Sequence, residues 1–149
     1  MSRCSPAFTL LELLVALALA GVLIGIAVPA LDRPRERWRL QAAARQVVMD
    51  LKLTRARAIA SGTPQRLRFA VPGTAYQHER QRAPGAYAAS GPATALPDGV
   101  TVADCTAAGD AVSFRPRGQA ASFGAITLRN RYDETRRVVV DIAGRLRVQ

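Results

Sequence analysis

The chain has 149 residues and a formal net charge of +10, which leaves room for one domain and an additional segment. Almost all of the positive charge is arginine, because Lys52 is the only lysine. An excess of this size favours association with polyanions or anionic lipid and says little about the fold. Cys4 and Cys105 match no metal-binding or redox spacing, so we exclude a cysteine metal site and a thiol–disulfide active site.

An apolar segment near the N-terminus is long enough to cross a bilayer. Residues 13–31 are nineteen positions without a charge, within the roughly 17–25 that a membrane helix needs. Glu12 lies in the same apolar run, where an ionised carboxylate costs about 2.5–3.5 kcal/mol on insertion scales. An ordinary secretory signal with a cleavage site at residues 18–20 is the alternative, but such a signal gains nothing from Glu12. The apolar pattern also continues well past Ala20.

The stretch AFTLLELLVALALAGVLIGIAVP, residues 7–29, resembles the N-terminal signature of type IV pilins and type II secretion pseudopilins. The resemblance implies that a prepilin peptidase cleaves between Ala7 and Phe8, and that the new Phe8 amine is N-methylated. It places Glu12 at the fifth position of the mature chain and Pro29 where the family has a helix-bending proline. The family usually has glycine before the scissile bond, and Ala7, the next smallest residue, stands there in this chain.

The same resemblance implies a role for Glu12 in assembly, opposite the N-terminal amine of a neighbouring subunit. A buried charge is tolerated when it is paired, so an unpaired acid favours assembly and fixes the register between subunits. The alternative is that Glu12 reaches the membrane interface near the start of the helix. If the N-terminus is removed, Cys105 is left to pair with another chain or, as we expect, to remain a buried thiol.

The arginines at 33, 35, 37 and 39 bear on membrane topology. A count of positive charges would place the part of the chain that follows them in the cytoplasm. The family topology is the reverse, and we follow it because the peptidase needs a short cytoplasmic leader. The expected protein is therefore a single-pass inner-membrane protein with a periplasmic C-terminal domain.

The spacing of apolar residues predicts an amphipathic helix that ends near Ala60. Its stripe is expected to pack on a sheet formed by the rest of the chain, and the sequence 61–64, Ser-Gly-Thr-Pro, supplies the stop. The stripe repeats at intervals of 4, 3, 4 and 7 and consists of Leu40, Ala44, Val47, Leu51 and Ala58.

Beyond the helix the pattern changes to period two, which is typical of strands. Leu67, Phe69 and Val71 alternate with arginines and predict a strand over residues 65–71. Residues 72–99 are rich in Gly, Pro and Ala and predict a long loop with room for short strands. Further strands are predicted at 100–103, 111–115, 125–130, 137–142 and 145–148, with turns at 116–118, 132–135 and 143–144.

Residues 43–69, 112–130 and 136–148 resemble the GspH/FimT group of minor pseudopilins and minor pilins. The strand followed by Pro-x-Gly at 114–118 and the terminal Gly-Arg-x-Arg at 144–147 carry the likeness. The resemblance implies an α+β, type IV pilin-like fold, in which a long N-terminal helix with a membrane-spanning first half packs on a C-terminal antiparallel β-sheet domain. The implied divisions are a leader (1–7), a transmembrane assembly helix (8–31), an amphipathic periplasmic helix (32–61) and the sheet domain (62–149).

The residues contain no catalytic constellation. There is no H-E-x-x-H, no G-x-S-x-G and no phosphate-binding glycine loop. His78, the only histidine, is expected to be a solvated loop residue, and Asp133 and Glu134 are adjacent and point apart. We therefore expect no enzyme, metal, cofactor or small-molecule substrate.

Arginines near the C-terminus suggest a second kind of surface. Arg145 and Arg147 face the same way if they lie in one strand, and Gly144 permits a sharp turn before them. Together with Arg136 and Arg137 they predict a surface for the phosphates of a DNA backbone. The resemblance adds that the FimT branch is associated with DNA uptake through a C-terminal Gly-Arg-x-basic motif. The alternative is that these charges protect a sheet edge from unwanted pairing.

These observations lead to one functional hypothesis and two alternatives. The first is a GspH-like minor pseudopilin of a type II secretion system, a structural subunit near the pseudopilus tip. Its partners would be prepilin peptidase, other pilin-like subunits and the inner membrane. The second is a FimT-like minor type IV pilin that binds DNA for natural transformation. The third is a processed periplasmic domain with a plain signal peptide.

Overall fold

The computed structural model describes residues 9–30 and 32–149, with the side chains of residues 24–30 outside the description. The chain divides into two compact units, residues 1–35 and 36–149. The first unit contains α1 (Leu10–Ala30). Within the described residues, no helix combines the length and the apolar character that crossing a bilayer requires.

The second unit combines one long helix with two antiparallel sheets. Helix α2 (Asp32–Ser61) begins just before this unit and continues into it. One sheet has the order β3-β2-β1-β6-β7, with β4 also paired to β2, and the other has the order β10-β9-β8-β5. The strands are β1 (Gln65–Phe69), β2 (Ala75–Ala83), β3 (Ala86–Ala89), β4 (Thr94–Ala95), β5 (Val100–Cys105), β6 (Ala111–Phe114), β7 (Ala120–Ser122), β8 (Gly124–Asn130), β9 (Thr135–Val140) and β10 (Leu146–Val148).

The apolar stripe of α2 forms the centre of the core, as its spacing predicts. Val47, Leu51 and Ala58 are fully buried, and Leu40 and Ala44 are at most 3% exposed. The stripe packs in one cluster with inward side chains of both sheets, among them Leu67, Phe114, Val102, Ile126, Leu128, Val138 and Val140. The helix ends at Ser61, and Gly62 follows in the left-handed conformation (φ 62°), which is common for the residue after a helix.

The prediction of a long loop over residues 72–99 left room for short strands, which β3 and β4 confirm, but it is wrong for the long strand β2. This segment contains β3, β4 and the nine-residue β2, which pairs with β1 on one side and with β3 on the other. Its inward side chains are Tyr76 and His78 rather than aliphatic residues, so the strand lacks the usual apolar alternation. The Tyr76 hydroxyl donates to Asp50 Oδ2 of α2, and burial followed by this hydrogen bond raises the pKa of Tyr76.

The prediction of a solvated His78 is also wrong, because this residue of β2 is only 9% exposed and its ring faces Thr54 of α2. Its Nδ1 lies 3.1 Å from Thr54 Oγ1, and the Thr54 hydroxyl donates to the Asp50 carbonyl. Burial lowers the pKa of His78, with Asp50 opposing and Arg57 reinforcing the shift. The folded protein therefore favours the neutral ring.

The free energy of unfolding is expected to fall as the pH is lowered from 7.5 to 5.5. A histidine with a lowered folded-state pKa binds its proton more readily after unfolding, so stability is lost as the pH falls through about 6.5. Since His78 is the only histidine, the slope in this window reports on it, up to about 1.4 kcal/mol per pH unit. Urea unfolding of the full chain in detergent, followed by circular dichroism, measures the slope. The same slope in His78→Gln would contradict the assignment.

The other strand predictions are confirmed, with small shifts. The strand predicted at 137–142 lies at Thr135–Val140, because Asp141 and Ile142 belong to the turn that follows. Strand β7 is absent from the predicted set. Cys105 is buried, as expected, and burial raises the pKa of its thiol, whereas Cys4 lies outside the described residues.

Candidate functional site

The start of α1 carries the residues expected to act in assembly. Ala7 and Phe8 lie outside the described residues, and Pro29 lies in the last turn of α1. Thr9 Oγ1 accepts a hydrogen bond from the Glu12 backbone N–H at 3.3 Å, so Thr9 caps the helix. The role of Thr9 was not predicted from the sequence, although the Thr-x-x-Glu spacing of a capping box indicates it. The cap places the Glu12 carboxylate in the first turn, where the helix dipole favours an acid.

The rest of α1 has no polar face. Every side chain described in this helix is exposed, including Leu13, Leu17 and Leu23 at 56–68%. A helix that is apolar all round is stable where lipid or other helices surround it.

The pairing register of β8, β9 and β10 brings three arginines to one solvent-exposed face. Arg137 of β9 lies opposite Thr127 of β8, and Arg147 of β10 lies opposite Val139 of β9. Arg129 is two residues beyond Thr127 on the same face of β8. Since the alternate residues of β8 and β9 are buried against α2, these three guanidinium groups project away from the core. The set Arg129, Arg137 and Arg147 is called the arginine face below.

The other predicted anion-binding residues lie elsewhere. Arg136 is opposite Leu128 on the helix-facing side of β9, and with Arg37 and Glu134 it lines a cavity of about 300 Å³. Arg145 precedes β10 in the turn, and its Nε donates to Asp141 Oδ2 at 2.7 Å. The backbone N–H and then the guanidinium of Arg145 lower the pKa of Asp141. The structure therefore separates the arginines that were predicted to form one DNA-binding surface. Arg137 and Arg147 lie on one face together with Arg129. Arg136 and Arg145 lie elsewhere.

Gly144 has a structural role in the turn between β9 and β10. Its φ is 76°, and its N–H donates to the Asp141 carbonyl at 2.9 Å. A Cβ at this position would lie 2.7 Å from the carbonyl oxygen of Gly118, in the turn between β6 and β7. Arg55 of α2 donates to the Gly144 carbonyl at 3.3 Å. Glycine is thus required by the close approach of two turns at the C-terminal end of α2.

An ion-pair cluster fixes the opposite end of the domain, and sequence reasoning missed it. Glu36 is 1% exposed, and its Oε1 lies 2.9 Å from Arg39 Nη1 and 3.4 Å from Arg131 Nη2. Beside it, Arg37 Nε lies 2.7 Å from Glu134 Oε1. These pairs tie the turn between β8 and β9 to α2, so the cluster positions the arginine face relative to the helix.

Solved structures of pilin-like proteins resemble this fold. The minor pseudopilin EpsH from the type 2 secretion system of Vibrio cholerae superposes with a TM-score of 0.62 at 19% identity, over 74% of this chain and 96% of that chain. The type IV minor pilin FimU of Pseudomonas aeruginosa gives 0.60 at 18% identity, over 76% of this chain and 90% of that chain. These matches confirm the pilin-like α+β fold. No curated protein matches the chain by sequence.

Two families match the sequence. The prokaryotic N-terminal methylation motif covers residues 3–28, the segment that contains Ala7, Phe8 and Glu12. The type II transport protein GspH covers residues 43–144, which is more than half of the chain and includes every strand except β10. The two matches confirm the prediction of a GspH-like pseudopilin, and the chain belongs to the family of the type II transport protein GspH.

Proposed function

We propose that this chain is a structural subunit near the tip of a type II secretion pseudopilus, held in the inner membrane by residues 8–31 with the sheet domain in the periplasm. The observation that carries the proposal is the state of α1. All of its described side chains are exposed, nearly all are apolar, and Glu12 is the only acid among them. Lipid provides an apolar environment for such a helix before assembly, and a bundle of similar helices provides it afterwards.

The N-terminal methylation motif implies processing by prepilin peptidase and assembly with other pilin subunits. In our proposal cleavage after Ala7 creates the Phe8 amine, and methylation leaves its positive charge in place. In the filament, the Glu12 carboxylate of this subunit pairs with the amine of a neighbour, so two charges that are costly in lipid offset each other. This role needs only packing and charge pairing.

Intact-mass and N-terminal peptide analysis of the protein from native membranes tests the proposal. The expected chain starts at Phe8, carries one methyl group on its amine and co-purifies with sheared pseudopili. A chain that starts near Gly21 or Leu31 would indicate an ordinary signal peptidase. An intact leader on a protein that never accompanies filament subunits would overturn the proposal.

A second candidate function, binding of the DNA backbone, is favoured by the arginine face. Arg129, Arg137 and Arg147 are exposed, and within the described part of the chain Arg129 alone of the three forms an ion pair, with Asp133 at 3.5 Å. Guanidinium groups on a flat sheet face contact phosphates without sequence preference. The test is a titration of the full chain in detergent with duplex DNA at several salt concentrations. A slope of log affinity against log salt near −2 to −3 would support this function, and a slope near zero would exclude it.

A further inference from the structure

Strand β10 is the outer strand of its sheet, and in the described part of the chain only β9 pairs with it. Arg137 of β9 and Gln149 exchange both of their backbone hydrogen bonds, at 2.9 and 3.0 Å. In an antiparallel pair, hydrogen-bonded and non-hydrogen-bonded positions alternate. Arg147 therefore bonds to β9, whereas the N–H and C=O groups of Leu146 and Val148 point away from β9. These outward backbone groups are called the free edge below.

A cavity of about 360 Å³ lies beside the free edge. Its lining comes from Lys52 and Arg55 of α2 and from the stretch 144–147, Gly-Arg-Leu-Arg. None of the described residues of β9 lines it, so the cavity lies on the side of β10 that faces away from β9. A strand added to a sheet lies about 4.8 Å from its neighbour. The cavity thus provides space where the next strand of this sheet would lie.

The charges around the cavity are unbalanced. Arg145 pairs with Asp141 at 2.7 Å, but Lys52, Arg55 and Arg147 form no ion pair with any residue that the structure describes. The Arg55 Nη1 donates to a backbone carbonyl at 3.3 Å, and its buried Nε has no hydrogen-bond partner among the described residues. Positive charge on this scale favours an acidic partner and opposes a basic one.

The free edge favours a peptide over a nucleic acid. Its alternating N–H and C=O groups are matched by another extended peptide, whose backbone offers both donors and acceptors. A DNA backbone offers acceptors alone, so the C=O groups of Leu146 and Val148 would face phosphates without a hydrogen bond. A second copy of β10 would place Arg145 and Arg147 opposite other arginines, which is destabilising.

We propose that the free edge and the cavity beside it bind an extended acidic segment of a partner protein, which joins the sheet as a further strand. Main-chain hydrogen bonds to Leu146 and Val148 supply the affinity, and acidic side chains beside Lys52 and Arg55 supply the selectivity. Charges at a sheet edge discourage unwanted pairing, and positive ones still admit an acidic strand. The inference goes beyond the proposed function, because it does not require the chain to be in a filament.

The first test measures the binding of two capped peptides to the full chain in detergent. One peptide alternates Glu and Val. In its analogue, esters replace the central amides, which keeps the charge and removes the N–H donors. The amide peptide should bind about tenfold more tightly than the ester analogue, and its largest effects on amide chemical shifts should fall on Leu146 and Val148. Equal affinities, no binding, or shifts confined to other residues overturn the proposal.

Variants at Val148, which is 48% exposed, separate backbone pairing from side-chain contact. Val148→Pro removes an N–H of the free edge and keeps the bonds to β9, since that N–H takes no part in them. It should weaken binding of the Glu-Val peptide about tenfold, whereas Val148→Ala, the matched control, should change it less than about twofold. Equal weakening by the two variants, or full binding by Val148→Pro, overturns the proposal.

Charge variants distinguish this site from the arginine face. Lys52→Glu should weaken the Glu-Val peptide about tenfold more than Arg82→Glu, a charge reversal on β2 that controls for net charge. Lys52→Glu should affect duplex DNA no more than Arg82→Glu does. Arg137→Ala, on the arginine face and outside the cavity lining, should weaken DNA and spare the peptide. If Lys52→Glu weakens DNA and peptide equally and DNA displaces the peptide, the cavity is a phosphate site and the proposal is wrong.

Discussion

Replacement of Glu12 by alanine is expected to leave membrane insertion intact and to lower incorporation into filaments by about a hundredfold or more. Removing one partner of a buried ion pair leaves the other charge uncompensated, at a cost of about 3–5 kcal/mol. Each 1.4 kcal/mol corresponds to about a tenfold change in an equilibrium. Insertion should not suffer, because alanine is better tolerated in a membrane helix than glutamate. Carbonate extraction measures insertion, and the yield in sheared filaments measures incorporation.

Two variants separate the charge of Glu12 from its place in the helix cap. Glu12→Gln keeps the size of the side chain without its charge and should behave like Glu12→Ala. Thr9→Ala removes the Oγ1 that accepts the Glu12 N–H. Loss of such a cap costs about 1 kcal/mol, so incorporation should fall by less than tenfold. If Thr9→Ala is as defective as Glu12→Gln, or if Glu12→Gln assembles normally, charge pairing is not the role of this residue.

The substitution Gly144→Ala is expected to destabilise the GspH domain by about 3 kcal/mol. Alanine is disfavoured at a φ of 76°, and its Cβ would lie 2.7 Å from the Gly118 carbonyl oxygen. A backbone oxygen cannot move aside as a flexible side chain can, so the two turns must separate. Urea unfolding of the full chain in detergent, followed by circular dichroism, measures the loss.

Gly85 provides the matched control for this prediction. Its φ is 77°, and a Cβ there would meet nothing within 4 Å. Gly85→Ala should therefore cost only the backbone term, about 1–2 kcal/mol. Equal losses in the two variants would show that the approach of the two turns does not constrain Gly144. If Gly144→Ala lowers the free energy of unfolding more than Gly85→Ala does, weaker DNA binding by a Gly144 variant would result from impaired folding and not from the loss of a phosphate contact.

Several elements of the fold could be predicted because their information is local. The buried stripe of α2 is visible as intervals of three and four, and Leu67 and Phe69 of β1 alternate with arginines. Strand β2 could not be found in this way. Its inward residues, Tyr76 and His78, have polar ends whose hydrogen-bond partners, Gln46, Asp50 and Thr54, all lie on helix α2. The contact that makes β2 a buried strand is therefore tertiary.

The sequence alone identified the N-terminal methylation motif, since its residues, Ala7, Phe8 and Glu12 among them, follow one another along the chain. It also contained the apolar intervals of the buried stripe of α2, and these predicted which face of the helix the sheets cover. Only the tertiary structure decided which strands supply the residues that cover this stripe, because the periodic pattern of one helix does not say what packs against it. Strand register likewise decided that Arg129 joins Arg137 and Arg147, while Arg136 faces the helix and Arg145 pairs with Asp141. Neighbours across a sheet are set by pairing and not by distance along the chain.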